Sequence, residues 1–523
     1  MSGKDPNRDI IRLIPKQSPG LKRLLFSRAG FFAVLILIQL ALFFVIYGVV
    51  MQFRVLAIIQ MVFMFAMLIY LYNTDMDSSA KLTWAGLFMF FPVPAALFLL
   101  FTRLDIGHRE EKRRHAELLK DSRKMLKQNS LTIVKDEIIE SGTADLCFYL
   151  NRSGRFPIYE NTEVEFFPLG EDKFNAMIPQ LMKAENFIFM EYFIIDEGVM
   201  WGTILKILIE KAKQGVDVRV MYDGMCEIST LTHDYPALMR KHGIKCKPFS
   251  PIKPFISTSY NFRDHRKILV IDGKVAFNGG VNLADEYINC RERFGHWKDT
   301  AIMLTGEAVQ SFTLMFLQMW NMDEYEPRWK ESKLRFPAEH TDGYVIPYCD
   351  QPLDGERVGR SVYMDILYRS ISYVHIMTPY LILDNELEAA LTYAAKRGVE
   401  VQIIMPGIPD KKSAYSLAKT HYKSLVEAGV QIFEYTPGFV HAKIFVSDNV
   451  KAVVGTINLD YRSLYHHFEC ATYLYRTRCI ADIEKDFQET LQKCTQVTRE
   501  SIAKEKFSMK ARGRILKLLA PLM

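Results

Sequence analysis

Apolar residues fall into two regimes along this chain. Three long N-terminal runs, Gly30 to Met51, Val55 to Tyr72 and Leu82 to Phe101, contain no acidic or basic residue. Runs of this length match the roughly 20 apolar residues that carry a helix across a bilayer. The region 30–103 is therefore expected to hold two to three transmembrane helices, at 30–51, 55–72 and 82–101. Only Gln52-Phe53-Arg54 separates the first two runs, and Pro92 and Pro94 interrupt the third. One of the three is accordingly expected to re-enter or lie in the interface.

Beyond residue 103 the runs become short and alternate with helical periodicity. Phe187 to Asp196 reads as a strand, a helical stretch ends at Ala212-Lys213-Gln214-Gly215, and Val216 to Val220 is apolar again. The same order recurs in Val374 to Asp384, a helix ending at Ala395-Lys396-Arg397-Gly398, and Val399 to Ile404. Glycine just past each helix fits a C-cap. A strand–helix–strand unit occurring twice predicts an α/β fold of two similar halves, each a mixed sheet flanked by helices. The expected boundaries are a basic N-terminus 1–29, the membrane region 30–103, a charged linker 104–160, a first half 161–325, a junction 326–350, a second half 351–500 and a basic amphipathic segment 501–523. Two halves related by a pseudo-twofold axis bring equivalent points to one shared site.

Charge adds orientation. Seven Lys/Arg precede the first run and Arg103, Arg109, Lys112, Arg113 and Arg114 follow the third, so both flanks read as cytoplasmic. Three full spans cannot satisfy both. Lys504 to Met523 interleaves cations with Phe507, Ile515, Leu516, Leu518, Leu519 and Leu522, which suits an interfacial helix on anionic lipid. Glu110 to Lys127, charged in both signs, reads as a solvated linker helix. A net charge of +6 over 523 residues is too modest to call for nucleic acid and fits an enzyme facing anionic lipid. The eight cysteines show no C-x-x-C or metal spacing, and there is no P-loop or dinucleotide fingerprint, so neither metal nor cofactor is expected. His466-His467 is the one local histidine cluster; packing or substrate contact suits it better than metal.

The chemistry lies in H-x-K-x4-D, which occurs as His265/Lys267/Asp272 and again as His441/Lys443/Asp448. At one common offset follow Gly279-Gly280-Val281-Asn282 and Gly455-Thr456-Ile457-Asn458. Each motif opens an apolar run that ends in a hairpin signal, Asp272-Gly273 or Asp448-Asn449. Residues two apart in a strand share a face, so histidine and lysine point the same way. The returning run sets Asn282 or Asn458 opposite, and the glycines are expected to let the backbone approach a ligand. Each hairpin thus gathers an imidazole, an ammonium and a carboxamide, enough to transfer a phosphoryl group without a metal. Asp272 and Asp448 complete the catalytic motifs but sit at the turns, where bracing the hairpin is the expected role.

These blocks resemble the phospholipase D superfamily, and its bacterial cardiolipin synthase branch in particular. The resemblance rests on Asn261 to Lys267, His296-Trp297-Lys298-Asp299-Thr300, Pro437 to Lys443, Asn458-Leu459-Asp460-Tyr461-Arg462-Ser463 and Phe468-Glu469, and covers roughly residues 80 to 523. It implies two tandem phospholipase D-like α-β-α sandwich halves with pseudo-twofold symmetry, preceded by N-terminal transmembrane helices. It also implies that His265 attacks phosphorus to form a phosphohistidine, with His441 as acid and base. Lys267, Lys443, Asn282 and Asn458 would bind the phosphate oxygens. Asp299 and Glu469, 34 and 28 residues beyond their motif histidines, are the candidates for orienting the imidazoles.

The expectation is a membrane-bound phosphatidyltransferase that makes cardiolipin and glycerol from two phosphatidylglycerol molecules. Its partners would be phosphatidylglycerol and anionic membrane lipid, without nucleic acid, metal or cofactor, in a multi-pass protein of the bacterial cell membrane with its catalytic part in the cytoplasm. The alternative is a phospholipase D that passes the phosphatidyl group to water or another alcohol. A nuclease and an inactive scaffold rank below both. Oligomeric state is not legible in the sequence.

Overall fold

The computed structural model describes residues 10–14, 54–103, 109–122, 142–251, 262–341 and 343–522, with isolated positions at 41, 45, 48, 124–126, 132, 135, 138 and 139. Two sheets dominate. The first runs, in spatial order, β1 (Thr162–Phe167), β9 (Ala301–Gly306), β7 (Val275–Gly279), β6 (Lys267–Ile271), β2 (Phe187–Tyr192), β3 (Asp217–Asp223) and β4 (Lys245–Phe249). The second runs β10 (Tyr344–Asp350), β17 (His467–Tyr475), β16 (Lys451–Gly455), β15 (Ile444–Ser447), β11 (Tyr373–Met377), β12 (Glu400–Pro406), β13 (Gln431–Tyr435) and β18 (Cys494–Gln496). In each, the first four pairings are antiparallel and the next two parallel. The expected duplication is thus a duplication of topology over seven strands, to which the second sheet adds β18 antiparallel to β13.

Helices cover both faces, which is why the central strands read as unbroken apolar runs. Trp201, Ile204, Leu205 and Leu208 of the helix Val199–Lys213 pack with Ile188, Met190, Val218 and Leu269 on one face of the first sheet. The other face, with Phe189, Ile268 and Val270, meets Phe312, Met315 and Phe316 of the helix Val309–Trp320 in a core that continues into the second half. One hydrophobic core therefore joins the halves.

Several expectations change here. The junction 326–350 ends in a strand of the second sheet, β10, whose Pro347 hides it in the sequence; the strand lies at the sheet edge, where a missing N–H is tolerated. The charged helix Arg109–Ser122 is docked, not solvated: His115, Leu118 and Ser122 form a buried stripe three and four residues apart, and Arg114 donates to the carbonyl of Glu324 at 2.5 Å. The C-terminal helix Phe507–Leu519 lies on the helix Lys412–Ala428, so close that a Cβ at Gly513 would stand 2.2 Å from the Ser416 carbonyl. Its outward face keeps Phe507, Ile515 and Leu518 more than half exposed.

The apolar N-terminal region differs most. The second run forms the helix Arg54–Tyr72, with Val55, Ile58, Val62 and Phe65 more than half exposed. The third is split at Pro92 into helices Ser78–Phe90 and Pro92–Arg103, of 13 and 12 residues, each short of the roughly 20 a span requires. Among the described residues no helix is long and apolar enough to cross a membrane. The first run, 30–51, lies outside the described residues but for three positions, as does the basic stretch 1–29 but for residues 10–14.

Candidate active site

Each motif histidine stands just before a hairpin strand, β6 or β15, and its backbone is pinned by the other half. Short strands reach across: β5 (Arg263–Asp264) pairs with β17, and β14 (Gly438–Val440) pairs with β8 (His296–Lys298). His265 N donates to the Phe468 carbonyl at 2.9 Å, and His441 N donates to the Lys298 carbonyl at 2.7 Å. The residue after each acceptor is an orienting carboxylate. His265 Nδ1 lies 2.9 and 3.0 Å from the two oxygens of Glu469, and His441 Nδ1 lies 2.6 Å from Asp299 Oδ2. Sequence order had grouped each carboxylate with the histidine of its own half. The fold exchanges them, because the cross-half backbone pairing sets Glu469 beside His265 and Asp299 beside His441.

Both histidines, with Asn282 and Asn458, face one cavity of about 590 Å³. The size is that of a small-molecule binding site. Tyr287 and Trp297 flank His441, each with ring centroids 5.4 Å away, while Phe193 at 5.0 Å and His467 at 5.4 Å flank His265. Tyr287 and Trp297 carry no spacing signal of their own, the tryptophan being visible only as a neighbour of Asp299. His467 belongs to the His466-His467 cluster, whose expected role is packing or substrate contact, and it lines the cavity.

The remaining predicted residues divide. Lys267 and Lys443 are buried beside the histidines, each donating to the carbonyl of its own motif histidine, Lys267 at 2.5 Å. An ammonium has three donors, so this bond leaves others for an anion. Asn282 accepts from Ile194 N at 3.0 Å and donates to the Tyr287 hydroxyl at 2.8 Å, so it also braces the wall. Asn458 keeps a buried Oδ1 without a partner among the described residues.

Asp272 and Asp448 do not belong to the site. Asp272 accepts from the N–H groups of Glu185, Asn186 and Phe187 at 2.7–2.8 Å, and Asp448 from those of Ile371, Ser372 and Tyr373 at 2.7–3.0 Å. Each sits at the hairpin turn with positive φ (54° and 55°), at the far end of the strand from its histidine, and anchors the entry to β2 or β11. They are structural, and what they brace is the neighbouring strand. The glycines also serve the fold: a Cβ on Gly280 would lie 2.1 Å from Asp299 Oδ1, and one on Gly455 would meet Ala471. Gly280 makes room for the carboxylate, not for a ligand. Its counterpart Thr456 instead donates its hydroxyl to Glu469.

The clustered cations and the burial of the site favour a bound anion. Burial and the neighbouring Lys267 hold His265 well below its usual value. Burial and Lys443 lower His441 to about 4, although Asp299 pulls the other way. Burial lowers Lys443 to about 7 and Lys267 to about 8. A third lysine, Lys173, is also buried there and held down to about 7; it donates to the Val281 carbonyl at 3.2 Å, and no motif announced it. Burial raises Glu469, opposed by Lys267 and the Thr456 hydroxyl.

Comparison with known proteins matches this geometry. The family profile described as "Cardiolipin synthase, PLD-like domain" matches residues 177–320 and 363–491, which between them carry both motifs. A cardiolipin synthase of Alkalihalophilus pseudofirmus is 33% identical over 448 residues, covering 84% of this chain and 88% of the relative. The chain belongs to the cardiolipin synthase family of the phospholipase D superfamily. Members of this family are phosphatidyltransferases, and the two-half α/β site described above is that of a phospholipid-modifying enzyme. An uncharacterised protein of Streptococcus mutans is 57% identical over 470 residues, covering 88% of this chain and 100% of its own. Among solved structures, a phosphatidylserine synthase of Haemophilus influenzae shares the fold, with a TM-score of 0.55 at 16% identity over 74% of this chain and 98% of that one.

Proposed function

We propose that the enzyme joins two phosphatidylglycerol molecules into cardiolipin and releases glycerol. The observation that carries this reading is the pair of imidazoles facing one cavity, each held at Nδ1 by a carboxylate of the opposite half. A carboxylate accepts the Nδ1–H, so Nε2 is the free nitrogen of each ring. His265 Nε2 attacks phosphorus of the first lipid, and the bond from phosphorus to the glycerol oxygen breaks. His441 must enter this step as the imidazolium, held at Nδ1 by Asp299 beside the substrate's phosphodiester anion. Its Nε2 proton passes to the departing oxygen, glycerol leaves, and His441 is left neutral. The terminal hydroxyl of the second lipid's glycerol then attacks phosphorus, its proton passes to His441, and the P–N bond electrons return to His265. Lys267 and Lys443 balance the charge that builds on the phosphoryl oxygens. The family names of the relatives support cardiolipin as product.

Membrane attachment belongs to the same reading. Tyr461 and Ala520 line the cavity, and the Tyr461 hydroxyl lies 3.5 Å from Asp77, the cap of the apolar helix Ser78–Phe90. Thr83 of that helix donates to the Leu518 carbonyl at 2.7 Å. Apolar N-terminal helices and the basic C-terminal helix thus meet at the cavity mouth, where a lipid headgroup would enter. Residues 10–14 supply a clue to sidedness. Ile11 N donates to the Gly202 carbonyl at 3.4 Å, and Ile14 is buried against the first half. Chain on both sides of the apolar region docks on one body, which supports an even number of crossings and a cytoplasmic location for both basic flanks.

Purified enzyme given phosphatidylglycerol in vesicles should yield cardiolipin and glycerol in equal amounts. His265→Ala should form neither. Phosphatidic acid as the main product would make the protein a hydrolase, and cardiolipin formation by His265→Ala would sink the covalent scheme.

A further inference from the structure

His467 is a third imidazole at the same cavity, and the scheme above leaves it unused. It opens β17 two residues before Glu469, is 9% exposed, and lines the cavity. Neither ring nitrogen has a hydrogen-bond partner among the described residues. A buried N–H left unpaired is costly to keep, and such a group at a reactive site points to a ligand that pairs it. Its counterpart in the first half is Trp297, two residues before Asp299, and both rings stand 5.4 Å from the histidine they flank. The surroundings differ: Trp297 is packed by Tyr287 at 4.6 Å and Phe439 at 4.9 Å, whereas His467 faces His265 and, at 3.7 Å, Glu469.

His265, His467 and Glu469 also offer three ligand atoms within 4.8 Å of one another, the pattern of a metal site. The charge nearby argues against a cation. Lys267, Lys443 and His441 all act repulsively on a positive charge at His265, and they would act so on a divalent ion in the same place. The same field attracts a phosphoryl oxygen.

We propose that His467 donates a hydrogen bond from its ring N–H to a non-bridging phosphoryl oxygen while phosphorus is attacked by, and then bonded to, His265. This would make the halves unequal: the donor beside His265 stabilises charge on the phosphoryl group, while the aromatic wall around His441 takes the departing and arriving alcohols. The proposal rests on His265 carrying the phosphatidyl group, so the test measures that intermediate directly. In single turnovers with phosphatidylglycerol radiolabelled at phosphorus, quenched in denaturing detergent at mildly alkaline pH to preserve the acid-labile P–N bond, wild-type enzyme should accumulate labelled protein. His467→Phe keeps an aromatic ring without a donor; it should form the labelled species about 10²-fold more slowly, the usual cost of losing one oxyanion donor. Its KM should stay within about threefold of wild type and its thermal midpoint should be near wild type. His467→Asn, which restores an N–H, should recover most of the rate, and added imidazole should partly rescue His467→Ala if the Phe variant does not fold. Label formed by His467→Phe at the wild-type rate overturns the proposal alone, whereas no label in wild-type enzyme overturns the covalent scheme beneath it. Cobalt(II) bound at one equivalent, with visible bands lost in His467→Asn, would mark the cluster as a metal site and also overturn it.

Discussion

At the scale of single residues, the site works by moving charge preferences away from their values in water. In the proposed scheme the imidazole that attacks phosphorus has to be unprotonated, and burial beside Lys267 favours that form of His265. The lysines face the opposite demand: to hold an anion they must stay charged, yet burial lowers Lys443 to about 7 and Lys267 to about 8. A lysine is charged below its pKa, so kcat/KM should fall as pH rises from 7 to 9, well below the ordinary lysine range. Lys443→Arg, charged throughout, should push that limb upward. A wild-type rate that stays flat to pH 10 would refute this account. Glu469 and Asp299 show how little residue type reveals alone. Both are buried carboxylates on an imidazole, but one also receives the Thr456 hydroxyl and the other fits only because position 280 is glycine.

At the scale of elements, the motif is a hairpin with different duties at its two ends. The His end enters the cavity, while the turn end grips the next strand through the three N–H groups that Asp272 or Asp448 accepts. Removing a buried carboxylate from three backbone donors leaves all of them unpaired. Asp272→Ala should therefore lower stability by about 3 kcal/mol or more, read as a drop in the denaturant midpoint. Turnover per folded molecule should stay within about threefold of wild type. A large loss of kcat at unchanged stability would return Asp272 to the catalytic set. β10 teaches the complementary lesson: Pro347 argues against a strand, and only an edge position reverses that argument.

At the scale of the molecule, the consequence is that neither half holds a working histidine. His265 takes its backbone acceptor and carboxylate from the second half, and His441 takes both from the first. Under the proposed scheme the exchange gives the two carboxylates different roles, testable with a lipid whose leaving group is p-nitrophenolate, which needs no protonation. That substrate should largely restore the first turnover, read as p-nitrophenol release, to Asp299→Asn and His441→Ala, since both variants impair the acid. It should not rescue Glu469→Gln or His265→Ala, which impair the nucleophile. Rescue of Glu469→Gln and His265→Ala in place of Asp299→Asn and His441→Ala would mean that His265 is the acid and His441 the nucleophile.

The sequence by itself determined the duplication, the hairpins and the chemistry at their mouths. Each of these depends on short-range facts: periods of two and 3.6, turn residues, and fixed offsets such as His265 to Asn282. It also marked Asp299 and Glu469 as carboxylates of interest, because they recur at comparable distances beyond the motifs. Which carboxylate meets which histidine, why Gly280 is glycine and why His467 has no hydrogen-bond partner among the described residues were decided by the tertiary structure alone. The histidine–carboxylate pairs span 142 and 204 residues of chain and form only when two similar sheets pack about one core. A repeat makes the two pairings look alike in one dimension; only the strands that cross between the halves distinguish them in three.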